Sequence, residues 1–371
     1  MKVRTRRGKA AVVGFAAALA LAACGTEGDG EAAPEAPEEA EEEAAAAGGE
    51  FTIQISEPQN LMVGHSTEVN GASVLEQLYS GLTAVDYETG QAVSVVATGW
   101  ETDDNVTWTF DLRDDFTFHN GEPVTAQTFV DTWNWVVNPD NAQQNANFFD
   151  KFVGYDEVVA GEADTMSGVR AVDDYTIEID LTEPFSPLPV VLSYTAFYPL
   201  PEEAFADIES FQQAPIGNGR YMMDGEWEHD VQIAMVRYED WPGDEPGTAD
   251  RIVWRIYADI NTAYLDVQAG ELDILSGIPP ERLTTVEQDF GDNWFSSDSS
   301  QFTYLGLPLY HDEFTEVNVR HALSLAIDRQ SIVDALYNGA FSPATAVIPP
   351  VLAQHREDAC DYCHFDPDTA A

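Results

Sequence analysis

Alternation of apolar and polar positions is clearest over residues 106–113, where Val106, Trp108, Phe110 and Leu112 fall on one face and Thr107, Thr109, Asp111 and Arg113 on the other. A period of two predicts a half-buried strand. The same alternation marks strands at Phe51–Ile55, Tyr175–Leu181 and Val231–Val236. Helical spacing at Val74, Leu75, Leu78 and Leu82 predicts a short helix buried along one face. After an Asn120-Gly121 turn, Thr125 is placed to cap a helix whose Phe129, Trp133, Val136 and Val137 share a side. Thr315 is read as the cap of another, with Val319, Leu323, Ala326 and Ile327 on its stripe. Asp366-Pro367 joins an N-cap residue to proline at the first helical position, which starts one more. Strands interleaved with amphipathic helices predict an α/β or α+β body, and 371 residues are enough for more than one lobe.

The first residues follow neither period. Lys2, Arg4, Arg6, Arg7 and Lys9 precede an apolar stretch from Ala10 to Leu21, shorter than the roughly 20 residues a spanning helix needs. This is the pattern of an export signal. It ends in Leu21-Ala22-Ala23-Cys24-Gly25, which resembles a bacterial lipobox. Residues 1–23 are therefore expected to be a lipoprotein signal peptide, and Cys24 the lipid-modified first residue of the mature chain. Residues 24–50, almost entirely Glu, Ala, Pro and Gly after the first few positions, bury too little apolar surface to fold and are expected to form an acidic tether.

Charge narrows the function classes. The formal net charge is −50, and removal of five basic and no acidic residues with the leader takes it to −55. Such a polyanion is not a nucleic-acid binder. Lys151 is the one mature lysine, and acids spread over such a body fit a salty or alkaline exterior, where screening weakens self-repulsion. Catalytic motifs do not emerge: the chain carries no Gly-x-Ser-x-Gly elbow, no phosphate-binding Gly-x-x-x-x-Gly-Lys and no His-Glu-x-x-His. The seven histidines are scattered singly, and His119, beside the Asn120-Gly121 turn, reads as a hydrogen-bonded structural residue. No metal site and no cofactor is expected. Cys360-Asp361-Tyr362-Cys363-His364 has the spacing of c-type haem attachment, yet in an exported chain Cys360 and Cys363 also suit a local disulfide, and metal binding or free thiols stay open.

The stretch from Trp100 to Ala126, including Phe118-His119-Asn120-Gly121-Glu122-Pro123, resembles the signature of family 5 extracellular solute-binding proteins. Four further stretches agree in order: Pro215–Tyr221, Arg237–Gly243, Ala269–Ile274 and Val319–Arg329. Two departures are Arg220, where the family has proline before the tyrosine, and Gln127-Thr128 in place of an acidic pair. The resemblance implies a two-lobed α/β periplasmic-binding-protein fold with an extra subdomain. It divides the chain into lobe I over residues 51–303, with a subdomain at about 95–205 packed on it, and lobe II from 304 to 371. Full family members run beyond Ala371, so the sequence is expected to be truncated within lobe II, and the lobe II ligand residue is expected downstream.

The implied function is non-enzymatic: capture of oligopeptides or dipeptides between the lobes and delivery to an ABC transporter permease. The protein is then expected to act outside the cytoplasm as a monomer, held on the cell membrane by its lipid. By the same resemblance the ligand wall takes in Glu68, Asn70, Gly71 and Ala72, with Tyr304 and Gly306 at the crossover. A nickel chelate, oligosaccharide or opine is the alternative solute, and a secreted c-type haem or redox protein the alternative class.

Overall fold

The computed structural model describes residues 48–297, 299–352 and 355–371. The expected leader, Cys24 and residues 24–47 of the tether lie outside the described residues. In chain order the strands are β1 (Glu50–Ile55), β2 (Thr83–Val85), β3 (Ala92–Ser94), β4 (Ala97–Glu101), β5 (Thr107–Leu112), β6 (Val169–Asp173), β7 (Thr176–Asp180), β8 (Tyr221–Met223), β9 (Gln232–Arg237) and β10 (Arg251–Ile256). They form a mixed sheet ordered β1-β10-β9-β8, an antiparallel sheet ordered β4-β5-β7-β6, and the small pair β2-β3.

In the antiparallel sheet the alternating residues behave as their pattern predicts: Trp108, Phe110 and Leu112 are buried, and Thr107 and Asp111 are exposed. The mixed sheet is less legible. β1 pairs in parallel with β10, putting Ile53 opposite Trp254 across most of the folded chain. In β10 three consecutive residues, Ile252, Val253 and Trp254, are buried, so both faces are covered and no period-two signal survives.

Two helices organise two cores. Helix α1 (Val69–Leu78) packs Val74, Leu75 and Leu78 under the mixed sheet with Ile233, Met235 and Trp254. It stops at Leu78 because Tyr79 turns extended, so Leu82, predicted as part of the helix, sits in the loop beyond it, still buried. Helix α2 (Ala126–Val137) packs Phe129 and Trp133 against the antiparallel sheet and the aromatic residues Phe149, Phe152 and Phe197. Thr125 is its N-cap, and the Thr128 hydroxyl accepts from the Thr125 backbone N–H at 3.2 Å. Thr128 thus fills the reciprocal place in the capping box where an acidic or amide side chain is usual. The α2 core draws on residues 82–197 with Trp241, and the α1 core on residues 55–79 and 198–254.

The last part of the chain differs from its sequence pattern. Thr315 ends a helical turn, Asp312–Thr315, with its hydroxyl donating to the Asp312 carbonyl at 2.6 Å, while Glu316 is the N-cap of the helix Val317–Leu325. That helix finishes before Ala326 and Ile327, and of its residues Leu325 alone is buried. Val319 and Leu323 remain 40% and 38% exposed, so the apolar stripe is real but uncovered by the described residues. Asp366 does cap the short helix Pro367–Ala370, accepting from the Thr369 N–H at 3.1 Å. No helix among the described residues is long and apolar enough to cross a membrane.

Candidate functional site

Glu68, Asn70, Gly71 and Ala72 come together as the N-terminus of α1. The helix needs acceptors for its first N–H groups, and the Glu68 carboxylate supplies them, taking the Asn70 N–H at 2.6 Å and the Gly71 N–H at 2.7 Å. It also accepts from the Gln59 N–H at 3.3 Å, and the Asn70 side-chain oxygen accepts from Ser56 N–H at 3.3 Å. Gly71 is required by space: a Cβ there would stand 2.5 Å from Ser66 Oγ and 2.8 Å from the Asn60 carbonyl oxygen. Three of these residues therefore carry a structural duty, which resemblance alone did not reveal. Val69, between them, is 70% exposed.

Tyr304 and Gly306 lie in a stretch with no regular secondary structure. Tyr304 is 75% exposed and stacks on Phe302, their ring centres 6.1 Å apart. Among the described residues, the backbone groups of residues 302–307 make no backbone–backbone hydrogen bond. No hydrogen bond joins this stretch to the α1 N-terminus among the described residues.

The motif stretches meet elsewhere, at a seam between the two cores. His119 is clamped between two glycines: its Nδ1 accepts from the Gly217 N–H at 3.2 Å, and its Nε2 faces the Gly219 carbonyl at 3.1 Å. These partners select the neutral tautomer with the proton on Nε2. Asn218, fully buried, exchanges two 2.9 Å hydrogen bonds with the Ser80 backbone, and Trp241 Nε1 donates to Ser80 Oγ at 3.2 Å. Tyr238 lies edge-on to His119 at 4.9 Å, and Arg220 sits over Trp241 at 5.0 Å. Arg220 is the departure from the family pattern, and it has found an aromatic face.

Burial holds the His119 pKa down to about 4 from its usual 6.5, against a weaker upward pull from the Gly219 carbonyl. Below pH 6.5 the unfolded chain binds a proton that the native ring refuses. The seam's contribution is therefore full above that pH, falls through the window down to about 4, and levels off below it, with a total loss of about 3 kcal/mol. Urea unfolding across this window should show a shallower pH dependence for His119→Gln than for wild type. Parallel curves would contradict the assignment.

Cys360 and Cys363 are bridged, with their Cα atoms 5.4 Å apart. The bond uses both sulfurs that covalent haem attachment would need, and it removes the thiols from metal binding. Tyr362, between them, stacks on His321 at 3.5 Å, while the Tyr362 and Cys363 carbonyls accept from Ser324 Oγ and Arg329 Nη1. The bridged turn is thereby fastened to the Val319–Arg329 stretch.

Comparison with known proteins gives this geometry its setting. The model of the bacterial extracellular solute-binding proteins, family 5 Middle, matches residues 91–371. The chain belongs to this family. Over 338 residues it is 29% identical to the oligopeptide-binding protein OppA of Bacillus subtilis (strain 168), a match covering 85% of this chain and 59% of that relative. Among solved structures, OppA of Burkholderia pseudomallei superposes with a TM-score of 0.77 at 24% identity, covering 88% of this chain and 64% of the other. Haemophilus influenzae OppA in complex with RPPGFSPFR gives a TM-score of 0.70 at 26% identity, over 81% of this chain and 60% of that one. The two-lobed α/β fold of the family 5 proteins is thus present over the part of their length that this chain spans. The stretch from Trp100 to Ala126 serves that fold: through His119 it ties the core of the antiparallel sheet to the strand-and-loop region at Gly217 and Gly219 beside the α1 core.

Proposed function

We propose that this family 5 protein is the solute-capturing component of an ABC importer for oligopeptides or dipeptides. The reading is carried by the likeness, over 81% of the chain, to the H. influenzae protein solved with a nonapeptide. Residues 51–303 make lobe I, with the α2 subdomain packed on it, and residues from 304 begin lobe II. Solute bound between the lobes contacts both, so binding favours the closed arrangement by differential affinity, with no bond made or broken. The α1 N-terminus and the stretch around Tyr304 and Gly306 face the solute. Main-chain groups at residues 302–307, which make no backbone–backbone hydrogen bond among the described residues, suit an extended peptide held through its backbone and so tolerant of varied side chains. Lipid on Cys24 anchors the protein outside the cytoplasm, the acidic tether holds it off the membrane, and the monomeric receptor passes its cargo to the permease.

Thermal unfolding of the native protein with RPPGFSPFR is the test. A peptide at a hundredfold excess over its Kd adds about 2.7 kcal/mol to stability, and the unfolding midpoint rises by several degrees. Absence of a shift with every peptide from dipeptide to nonapeptide contradicts the proposal. A shift with an oligosaccharide or nickel chelate instead would change the solute and keep the class.

A further inference from the structure

Solute capture makes no use of the Cys360–Cys363 bridge. Its cysteines are three positions apart, so the loop it closes removes little chain entropy and staples no distant elements together. Residues 356–359, 361, 362, 364 and 365 around it are exposed, and both cysteines are half-buried. A Cys-x-x-Cys bridge within reach of solvent is the arrangement that thiol-exchange proteins use, and exposed bridges are the labile ones.

The bridged turn is also a clasp. Ser324 Oγ donates to the Tyr362 carbonyl at 2.7 Å, and Arg329 Nη1 donates to the Cys363 carbonyl at 3.0 Å while also reaching the Ser324 and Ile327 carbonyls at 3.0 and 3.3 Å. The Tyr362 ring lies flat on His321, and the Asp366 N–H donates to the Leu325 carbonyl at 2.9 Å. All of these contacts fall on the last turns of the helix Val317–Leu325 or just beyond it, where carbonyls lack partners within the helix. With the bridge open, the turn itself keeps a single 3.3 Å hydrogen bond, from the Cys363 N–H to the Cys360 carbonyl. That bond holds the two sulfurs near enough to re-form the bridge, but it no longer fixes the aim of the Tyr362 and Cys363 carbonyls.

We infer that Cys360–Cys363 is a site of reversible thiol–disulfide exchange whose substrate is a dithiol, and that its reduction releases residues 360–366 from the end of the Val317–Leu325 helix. One thiolate of the dithiol attacks Cys360 Sγ, the S–S bond breaks, and Cys363 leaves as a thiolate that takes a proton from water. The second thiolate of the dithiol then attacks the mixed disulfide and displaces Cys360, which takes the other proton. Two electrons pass to the bridge, and the dithiol becomes a disulfide. Attack at Cys360 puts the leaving charge on Cys363, whose carbonyl holds the Arg329 guanidinium, whereas Cys360 stands between Asp358 and Asp361 in the sequence. The inference does not depend on which solute is bound.

The experiment treats native protein, without denaturant, with about 1 mM dithiothreitol and then iodoacetamide. Cleavage after Arg356 isolates residues 357–371, which hold both cysteines, while Cys24 falls in another fragment. Both cysteines should be alkylated, and amide hydrogen exchange over residues 317–329 and 360–371 should accelerate about tenfold, with β5 and α2 unchanged. Reoxidation with diamide in place of alkylation should restore the slow exchange. The double variant Cys360→Ser, Cys363→Ser should exchange as the reduced protein does, with or without dithiothreitol. Alkylation that requires urea would overturn the exchange site. Alkylation with unchanged exchange, or a double variant as protected as the oxidised protein, would overturn the clasp.

Discussion

Gly217→Ala is expected to cost at least about 4 kcal/mol, enough to prevent folding at ordinary temperatures, because the new methyl has nowhere to go. A Cβ at this position would lie 1.8 Å from the Leu78 carbonyl oxygen and 2.7 Å from its carbon. Those are backbone atoms at the end of α1, so no side chain can swing aside. Moving the helix end would break the 2.7 Å hydrogen bond from Gly219 N–H to the same carbonyl and disturb the buried Asn218–Ser80 pair. His119 would lose its clamp as well, since a Cβ on Gly217 also comes within 3.3 Å of the imidazole Cε1. Gly99→Ala is the control: it has no heavy atom within 4 Å of the added methyl, and its cost should stay below about 0.5 kcal/mol. Urea unfolding midpoints of the two variants decide the matter, and a Gly217→Ala protein as stable as Gly99→Ala would refute the seam.

Trp133→Ala is expected to cost about 3–5 kcal/mol, the range for emptying a fully buried aromatic site. Trp133 has no exposed surface and stands among Phe129, Phe149, Phe152 and Phe197, with ring centres 5.8 to 6.1 Å away, mostly edge to face. Its Nε1–H donates to the Phe197 carbonyl at 2.9 Å, so truncation also leaves a buried acceptor without its donor. Four rigid rings cannot collapse into the space, which places the expected loss toward the upper end. Trp133→Phe keeps most of the volume and loses the hydrogen bond, and should cost about half as much. Calorimetric midpoints measure both, and a loss under about 1 kcal/mol for the alanine variant would show that the ring is not the centre of this core.

Legibility in the sequence followed one-sided burial. Residues 106–113 announced β5 because only one face is covered, and Phe129 with Trp133 announced α2 for the same reason. β10 gave no comparable signal, since Ile252, Val253 and Trp254 are buried in succession and its parallel partner β1 is about two hundred residues away. The seam was visible only as motif: His119 reads as structural from its neighbours, but its hold on Gly217 and Gly219 depends on contacts about a hundred residues apart. Glu68 shows the opposite limit. Glutamate is not among the side chains that usually mark an N-cap, so its hold on the Asn70 and Gly71 N–H groups is evident only in the structure. Thr315 failed as a cap because a short turn intervenes and Glu316 takes the position.

The central claim, that peptides are captured between the lobes, is tested most directly by calorimetric titration of the native protein with RPPGFSPFR, the peptide named in the H. influenzae complex. The account predicts saturable binding of one peptide per chain, accompanied by the negative heat-capacity change of buried apolar surface. Absence of any binding heat at several temperatures, with no change in the unfolding midpoint, would contradict it.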